Sequence, residues 1–237
     1  MCKSPDWQLA QKNELSIWEM TAKSTELVVS ELFESSELQI FIESKLGDIE
    51  VEGKKILEIG IGPLGIGWTG LFGSKDKEFN IAIEPLPVLT VLTGLQGFDE
   101  FIKYLQNRVN VVSGKGEKLE FSSESFDIVV CNDVIDHVSD CHLVLQEGFR
   151  VLKKGGLFIF SVNVFSVFGN AKWNIYTKKF YSNSKNVLCH PHSFTYSTIY
   201  KLLKMHGFKI FHSNNSDFSI WKKILGKSKK ARFLCTK

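Results

Sequence analysis

The rhythm of apolar positions changes near residue 54. Upstream, Leu27, Val28 and Leu32, then Leu38, Phe41, Ile42 and Leu46, recur at three- and four-residue intervals, the spacing of a helix with one buried stripe. In "SSELQIFIESKLG", Ser36 is a candidate N-cap and Gly47 a stop signal. From Lys54 onward the apolar residues come in short runs: "KILEI" (55–59), "FNIAIE" (79–84), "VNVVS" (109–113), "FDIVVC" (126–131), "LFIFSVN" (157–163), "FKIFHS" (208–213) and "ARFLCT" (231–236). Helical patterns lie between the early runs, most clearly "CHLVLQEGFRVLKKGG" (141–156), and "TYSTIYKLLKMHG" precedes the sixth. This alternation predicts βαβ units in an α/β fold with a mainly parallel, buried sheet. No helical pattern separates the last two runs, so they are expected to make a terminal antiparallel excursion at the sheet edge.

Composition bounds this picture without changing it. A chain of 237 residues, 43% hydrophobic and 23% charged, suits one globular α/β domain with a filled core. We expect residues 1–50 to form a helical cap and 51–237 the main domain. No apolar run approaches the roughly 18 residues that span a bilayer. The polar N-terminal stretch does not read as a secretory signal. Five scattered cysteines without a C-x-x-C pair fit a reduced, cytoplasmic setting with neither a disulfide framework nor a zinc knuckle. Charge is unevenly spread: residues 1–52 carry eleven acids and four bases, residues 201–237 ten bases and one acid. Two faces that attract each other, within or between subunits, is the plainer reading; a basic rim that draws an anionic substrate is the sharper one.

Chemistry concentrates in "KKILEIGIGPLGIG" (54–67), which contains G-x-G-x-x-G at Gly60, Gly62 and Gly65. Glycines after a strand permit tight dihedrals and close backbone approach to a nucleotide. Two acids flank the turn. Glu58, two residues before Gly60, would repel a pyrophosphate but welcome a cation. Glu84, at the end of the second strand, suits both hydroxyls of a ribose in either kind of site.

Six segments in order resemble the class I S-adenosylmethionine-dependent methyltransferases, the group acting mostly on small molecules. They are "ILEIGIGPLG", "IAIEPL", "GKGEKLEF", "SFDIVV", "VIDHVSD" and "RVLKKGG". The resemblance implies a Rossmann-like, doubly wound sheet of seven mainly parallel strands with an antiparallel last strand. It implies S-adenosyl-L-methionine as cofactor and methyl transfer to a small molecule such as a sugar, a lipid-linked intermediate or a secondary metabolite. Carried over, Glu84 would bind ribose, and Gly60, Ile61 and Gly62 would lie against the methionine part and ribose. Glu58 would favour the ammonium and sulfonium. Gly116, Glu117 and Asn132 would meet the adenine. The pattern departs from the family twice: its third glycine falls on Leu64, with Gly65 one place late, and Lys115 stands where an acid usually meets the adenine amino group.

On the acceptor side, Asp133, Asp136 and His137 follow the fourth strand, where ligands of open α/β sheets bind, and Asp133 and His137 are the candidate catalytic residues. A histidine that merely bonds a loop at a helix start is the plainer alternative for His137. "CHPH" (189–192) lacks an evident partner pair, so no metal is expected. Residues 164–192, rich in Phe, Trp and Tyr without periodicity, read as a substrate-covering insert that brings Tyr176, Tyr181, His190 and His192 toward the acceptor. The basic segment 222–232 has no interleaved aromatics, which disfavours nucleic acid as partner. The acidic N-terminal helices are expected to cap the pocket, with a homodimer contact as one arrangement. Two alternatives stay open: a nicotinamide-dependent oxidoreductase, and a non-catalytic methyltransferase-like binding subunit.

Overall fold

The computed structural model describes residues 7–180, 190–214 and 228–237. All seven strand runs form strands: β1 (Ile56–Ile59), β2 (Asn80–Glu84), β3 (Asn110–Ser113), β4 (Phe126–Asn132), β5 (Leu152–Phe165), β7 (Lys209–Ser213) and β8 (Lys229–Thr236). A two-residue strand, β6 (Phe194–Thr195), adds to them by pairing with the end of β5. The order is β3-β2-β1-β4-β5-β8-β7, parallel except that β8 runs antiparallel to both β5 and β7. The last two strands thus form the expected terminal antiparallel excursion at the sheet edge, with β8 set against β5 and β7 outermost. Burial explains it. β8 hides Ala231, Phe233, Leu234 and Cys235, whereas no residue of β7 is fully buried. An apolar strand needs a neighbour on each side, while a half-exposed one tolerates the edge.

The helices are α1 (Trp7–Thr21), α2 (Thr25–Leu46), α3 (Trp68–Phe72), α4 (Gln96–Gln106), α5 (Cys141–Val151), α6 (Val167–Phe180) and α7 (Tyr196–Met205). α2 is one continuous helix capped by Ser24, whose side chain accepts the Leu27 N–H. Ser36 is not a cap; it lies inside the helix and donates its hydroxyl to the Leu32 carbonyl. The apolar stripe runs unbroken past it, so the hydroxyl settles for the carbonyl four residues back. Gly47 does terminate the helix. α5 ends at Val151, earlier than the pattern implied, because Leu152 already pairs with Phe126 in the sheet.

Two apolar layers cover the sheet. One face packs α5 and α7 through Val144, Leu145, Ile199 and Leu203; the other packs Leu38, Phe41 and Ile42 of α2 with Trp68 against Ile56, Val130 and Ile159. The uneven charge is partly resolved within the chain: Lys230 and Arg232 of β8 pair with Glu34 and Glu37 of α2 at 3.0 and 2.6 Å. Cys131 and Cys235 are buried free thiols. Among the described residues no helix is long and apolar enough to cross a membrane.

Candidate functional site

Strand order reverses between β1 and β4, and a crevice opens at the carboxyl ends of strands at such a switch point. Here it is a cavity of about 360 Å³. All ten residues singled out from the sequence line it: Glu58, Gly60, Ile61, Gly62, Glu84, Gly116, Glu117, Asn132, Asp133 and His137. Their side chains have distinct tasks.

Gly60 sits at φ +71° directly after β1, and a Cβ there would stand 2.6 Å from a Val134 methyl. Both the dihedral and the space demand glycine. Glu58 is almost wholly buried, and its two oxygens accept the Trp68 and Thr69 N–H groups at 3.0 and 2.8 Å. It thus caps the start of α3. Its first duty is to the protein backbone. Gly67 makes room, since a Cβ there would lie 2.4 Å from Glu58 Oε1. Burial pushes the Glu58 carboxyl upward from its ordinary value, and the hydrogen bonds from Thr69 and Trp68 oppose this.

Glu84 closes the turn from the neighbouring strand. Its Oε2 accepts the Gly62 N–H at 2.9 Å and its Oε1 the Leu86 N–H at 3.0 Å. Burial raises its carboxyl to about 7, with Glu14 adding to the rise and the backbone donors opposing it. Glu117 Oε1 accepts from the Ser139 N–H and hydroxyl, each at 2.8 Å, so one oxygen holds the loop before α5 in place. Lys115 Nζ lies 3.7 Å from the centre of the Trp7 ring at the mouth of the cavity.

The far wall is a cluster of charges. Asp133 adopts φ +56°, a left-handed turn that Asp tolerates, and its carboxylate is held by the Lys230 ammonium. Lys230 also reaches Glu34. His137 Nδ1 faces Glu14 Oε1 at 3.6 Å and its Nε2 faces Asp136 Oδ2 at 3.9 Å. His190 stacks edge-on against His137, with ring centres 4.2 Å apart. His192 bonds the Val138 carbonyl through Nε2 at 2.8 Å and the Asp136 carbonyl through its N–H. Tyr181 and the side chain of Tyr176 lie outside the described residues.

Residues 84–160 match the family model described as a methyltransferase domain. The ubiquinone biosynthesis O-methyltransferase of Mus musculus mitochondria is 33% identical over 121 residues, 48% of this chain and 30% of that one. The Mus musculus arsenite methyltransferase is 38% identical over 94 residues, 38% of this chain and 25% of that one. A Thermotoga maritima SAM-dependent methyltransferase, described as a possible histamine N-methyltransferase, superposes with a TM-score of 0.60 at 20% identity, covering 98% of this chain and 99% of that one. Over residues 84–160 the chain is similar to methyltransferase domains, and its sheet has the fold of that Thermotoga maritima protein. Its alignments span less than a third of each of the two curated relatives' lengths.

The cavity residues not singled out in the sequence come mainly from the N-terminal helices. α1 contributes Trp7, Gln11, Glu14 and Trp18, and α2 contributes Glu31 and Glu34. Burial, reinforced by Glu34 and Asp133, pushes the Glu31 carboxyl to about 7. Their signal was the acid excess before residue 52. Its meaning, a negative wall over the cavity, needed the packing of α1 and α2 onto the sheet end. Lys230 gave no separate signal within its basic run.

Proposed function

We propose that this chain transfers a methyl group from S-adenosyl-L-methionine to a small-molecule acceptor. One observation carries the reading: the glycine turn after β1 and the carboxylate ending β2 converge on one cavity, joined by the Gly62–Glu84 hydrogen bond. The residues present fit that cofactor. Gly60 and Gly62 leave a wall of bare backbone, and each Glu84 oxygen keeps a lone pair for a ribose hydroxyl after accepting its N–H. Glu14, Glu31, Glu34 and Asp133 give the cavity a negative lining, which attracts a sulfonium and an ammonium. When bound, the cofactor supplies a methyl carbon on a sulfonium, which the acceptor's lone pair takes as the carbon–sulfur bond breaks and sulfur keeps that pair.

The chain's part is to align donor and acceptor and keep water out, an effect on the order of 7–11 kcal/mol. Trp7 and Trp18 of α1 cover the opening. Gly116, Glu117 and the Asn132 carbonyl form the side of the cavity assigned to adenine. We assign His137 to the acceptor's proton and Asp133 to the same wall as the acid that keeps Lys230 in place. The negative lining favours acceptors without free phosphate. Exposed Phe33 and Ile40 on α2 support the homodimer reading, which sedimentation of the full chain tests.

Calorimetry with S-adenosylhomocysteine tests the cofactor assignment. We expect one site per chain, weakened about tenfold or more by Glu84→Ala. No heat at millimolar ligand, with thermal stabilisation by NAD instead, would overturn it in favour of the nicotinamide alternative.

A further inference from the structure

The sequence reading dismissed a metal because His190 and His192 had no partner pair. Folding supplies one. Donor atoms of Asp136, His137 and His190 all lie within 4.8 Å of one another. Divalent ions hold imidazole nitrogen and carboxylate oxygen at about 2.0–2.2 Å, so donors around one ion stand roughly 3–4 Å apart. Asp136 Oδ2 and His137 Nε2 are 3.9 Å apart, already within that range. We propose that Asp136, His137 and His190 bind a first-row divalent metal ion on the acceptor side of the cavity.

Three further observations support the site. Asp136 is buried, 3% exposed, and its Oδ1 has no hydrogen-bond partner among the described residues. A carboxylate oxygen hidden in that way is costly unless a cation completes it. The His137 ring is oriented as metal-binding histidines are: Nδ1 toward the Glu14 carboxylate, Nε2 toward the cluster. The segment carrying His190 is fixed by the two His192 bonds to the carbonyls of Asp136 and Val138, and by β6 pairing with β5. The cluster therefore does not depend on a chance loop conformation.

Two imidazoles and one carboxylate leave coordination positions open and suit zinc, iron or cobalt better than magnesium or calcium. A second cavity, of about 450 Å³, adjoins the cluster; Asp136 and His190 line it together with Asn163, Phe165 and Trp173. His190 and Asn163 border both cavities, so the ion would stand between cofactor and acceptor. The aromatic pair Phe165–Trp173, with centres 5.3 Å apart, gives the second cavity an apolar wall. The implied acceptor is an apolar or aromatic molecule with a hydroxyl or thiol. Its oxygen or sulfur binds the ion, which lowers the pKa of that group so that its proton leaves to water before attack. Metal-bound His137 is then a ligand, and the ion takes over the proton's acidification. This role in the reaction rests on the methyl-transfer reading, whereas binding of the ion does not.

The test uses the full chain, stripped with a chelator and titrated with Co²⁺. We expect visible absorption of an N/O-coordinated ion saturating at one equivalent and displaced by Zn²⁺. His190→Ala and Asp136→Asn should each weaken binding at least tenfold, and Glu14→Gln several-fold, while near-ultraviolet dichroism stays unchanged. S-adenosylhomocysteine affinity, measured separately on His190→Ala, should stay within about threefold. No cobalt spectrum, or an equal spectrum and affinity in both ligand variants, would overturn the site. Metal binding without nucleoside binding would leave the site standing and remove only its methyl-transfer role.

Discussion

The two ends of the cavity are built on different scales of chain length. At the nucleoside end, Glu58 bonds Trp68 and Thr69, ten and eleven positions away, and Glu84 bonds Gly62 across 22. The donors there are backbone N–H groups, whose positions follow once a strand, a turn and a helix exist. At the acceptor end, Lys230 reaches Asp133 across 97 positions and His192 reaches Val138 across 54. Each of these bonds begins at a side chain far along the chain from its partner, and no local rule brings the two together. The nucleoside end is thus a local motif set on the sheet, and the acceptor end a product of the whole fold.

If the ends are built separately, they should fail separately. The largest effect is expected at the acceptor end. Lys230→Ala strands the buried Asp133 carboxylate and should destabilise the chain by about 3–5 kcal/mol in chemical denaturation. Nucleoside affinity of the folded fraction should remain within about threefold; a collapse of that affinity would erase the distinction. Next, Glu58→Ala leaves two buried N–H groups at the start of α3 without an acceptor, at about 1–3 kcal/mol each. Here stability and nucleoside affinity should fall together.

Glu84→Ala should cost about 1.5–3 kcal/mol of nucleoside binding, roughly tenfold to a hundredfold, with little change in global stability. Its pH behaviour sharpens the point. Because burial lifts the carboxyl to about 7, Glu84 is largely protonated at pH 6 and ionised at pH 8. Affinity for a cationic nucleoside should therefore rise across that window and level off above it; Glu14 and His137, which act on Glu84, are the groups that can shift its midpoint. Glu84→Gln should flatten the curve. The stability sign runs oppositely: with a folded pKa above the unfolded one, Glu84 loses stabilisation as pH rises from its ordinary 4.5 toward 7. The smallest effect belongs to the rim. Trp7→Ala removes the Lys115 contact, worth about 0.5–1 kcal/mol, a twofold to fivefold change in affinity.

What could be read in advance follows the same division. The seven strands, the glycine turn and the acid ending β2 were legible because apolar period, turn residues and strand-end position act over a few residues. The position of β8 inside the sheet was not, since edge or interior depends on which strand needs two neighbours. Glu58 was legible as an acid beside the turn, but its bonds to the α3 backbone were not, since that helix start must first fold around it. His137 was flagged and His190 noted, yet their meeting with Asp136 needed β6 to dock on β5.

The amino-acid order alone determined the α/β class, the place of the nucleotide turn and the acids beside it. These rest on interactions among near neighbours, which a linear pattern records. Tertiary structure alone decided which side chains of the acidic N-terminal helices line the cavity, that Lys230 sits between Glu34 and Asp133, and that two histidines and a buried aspartate converge. Such groups are joined by charge and burial across most of the chain. Only the closed sheet and its docked helices set those distances.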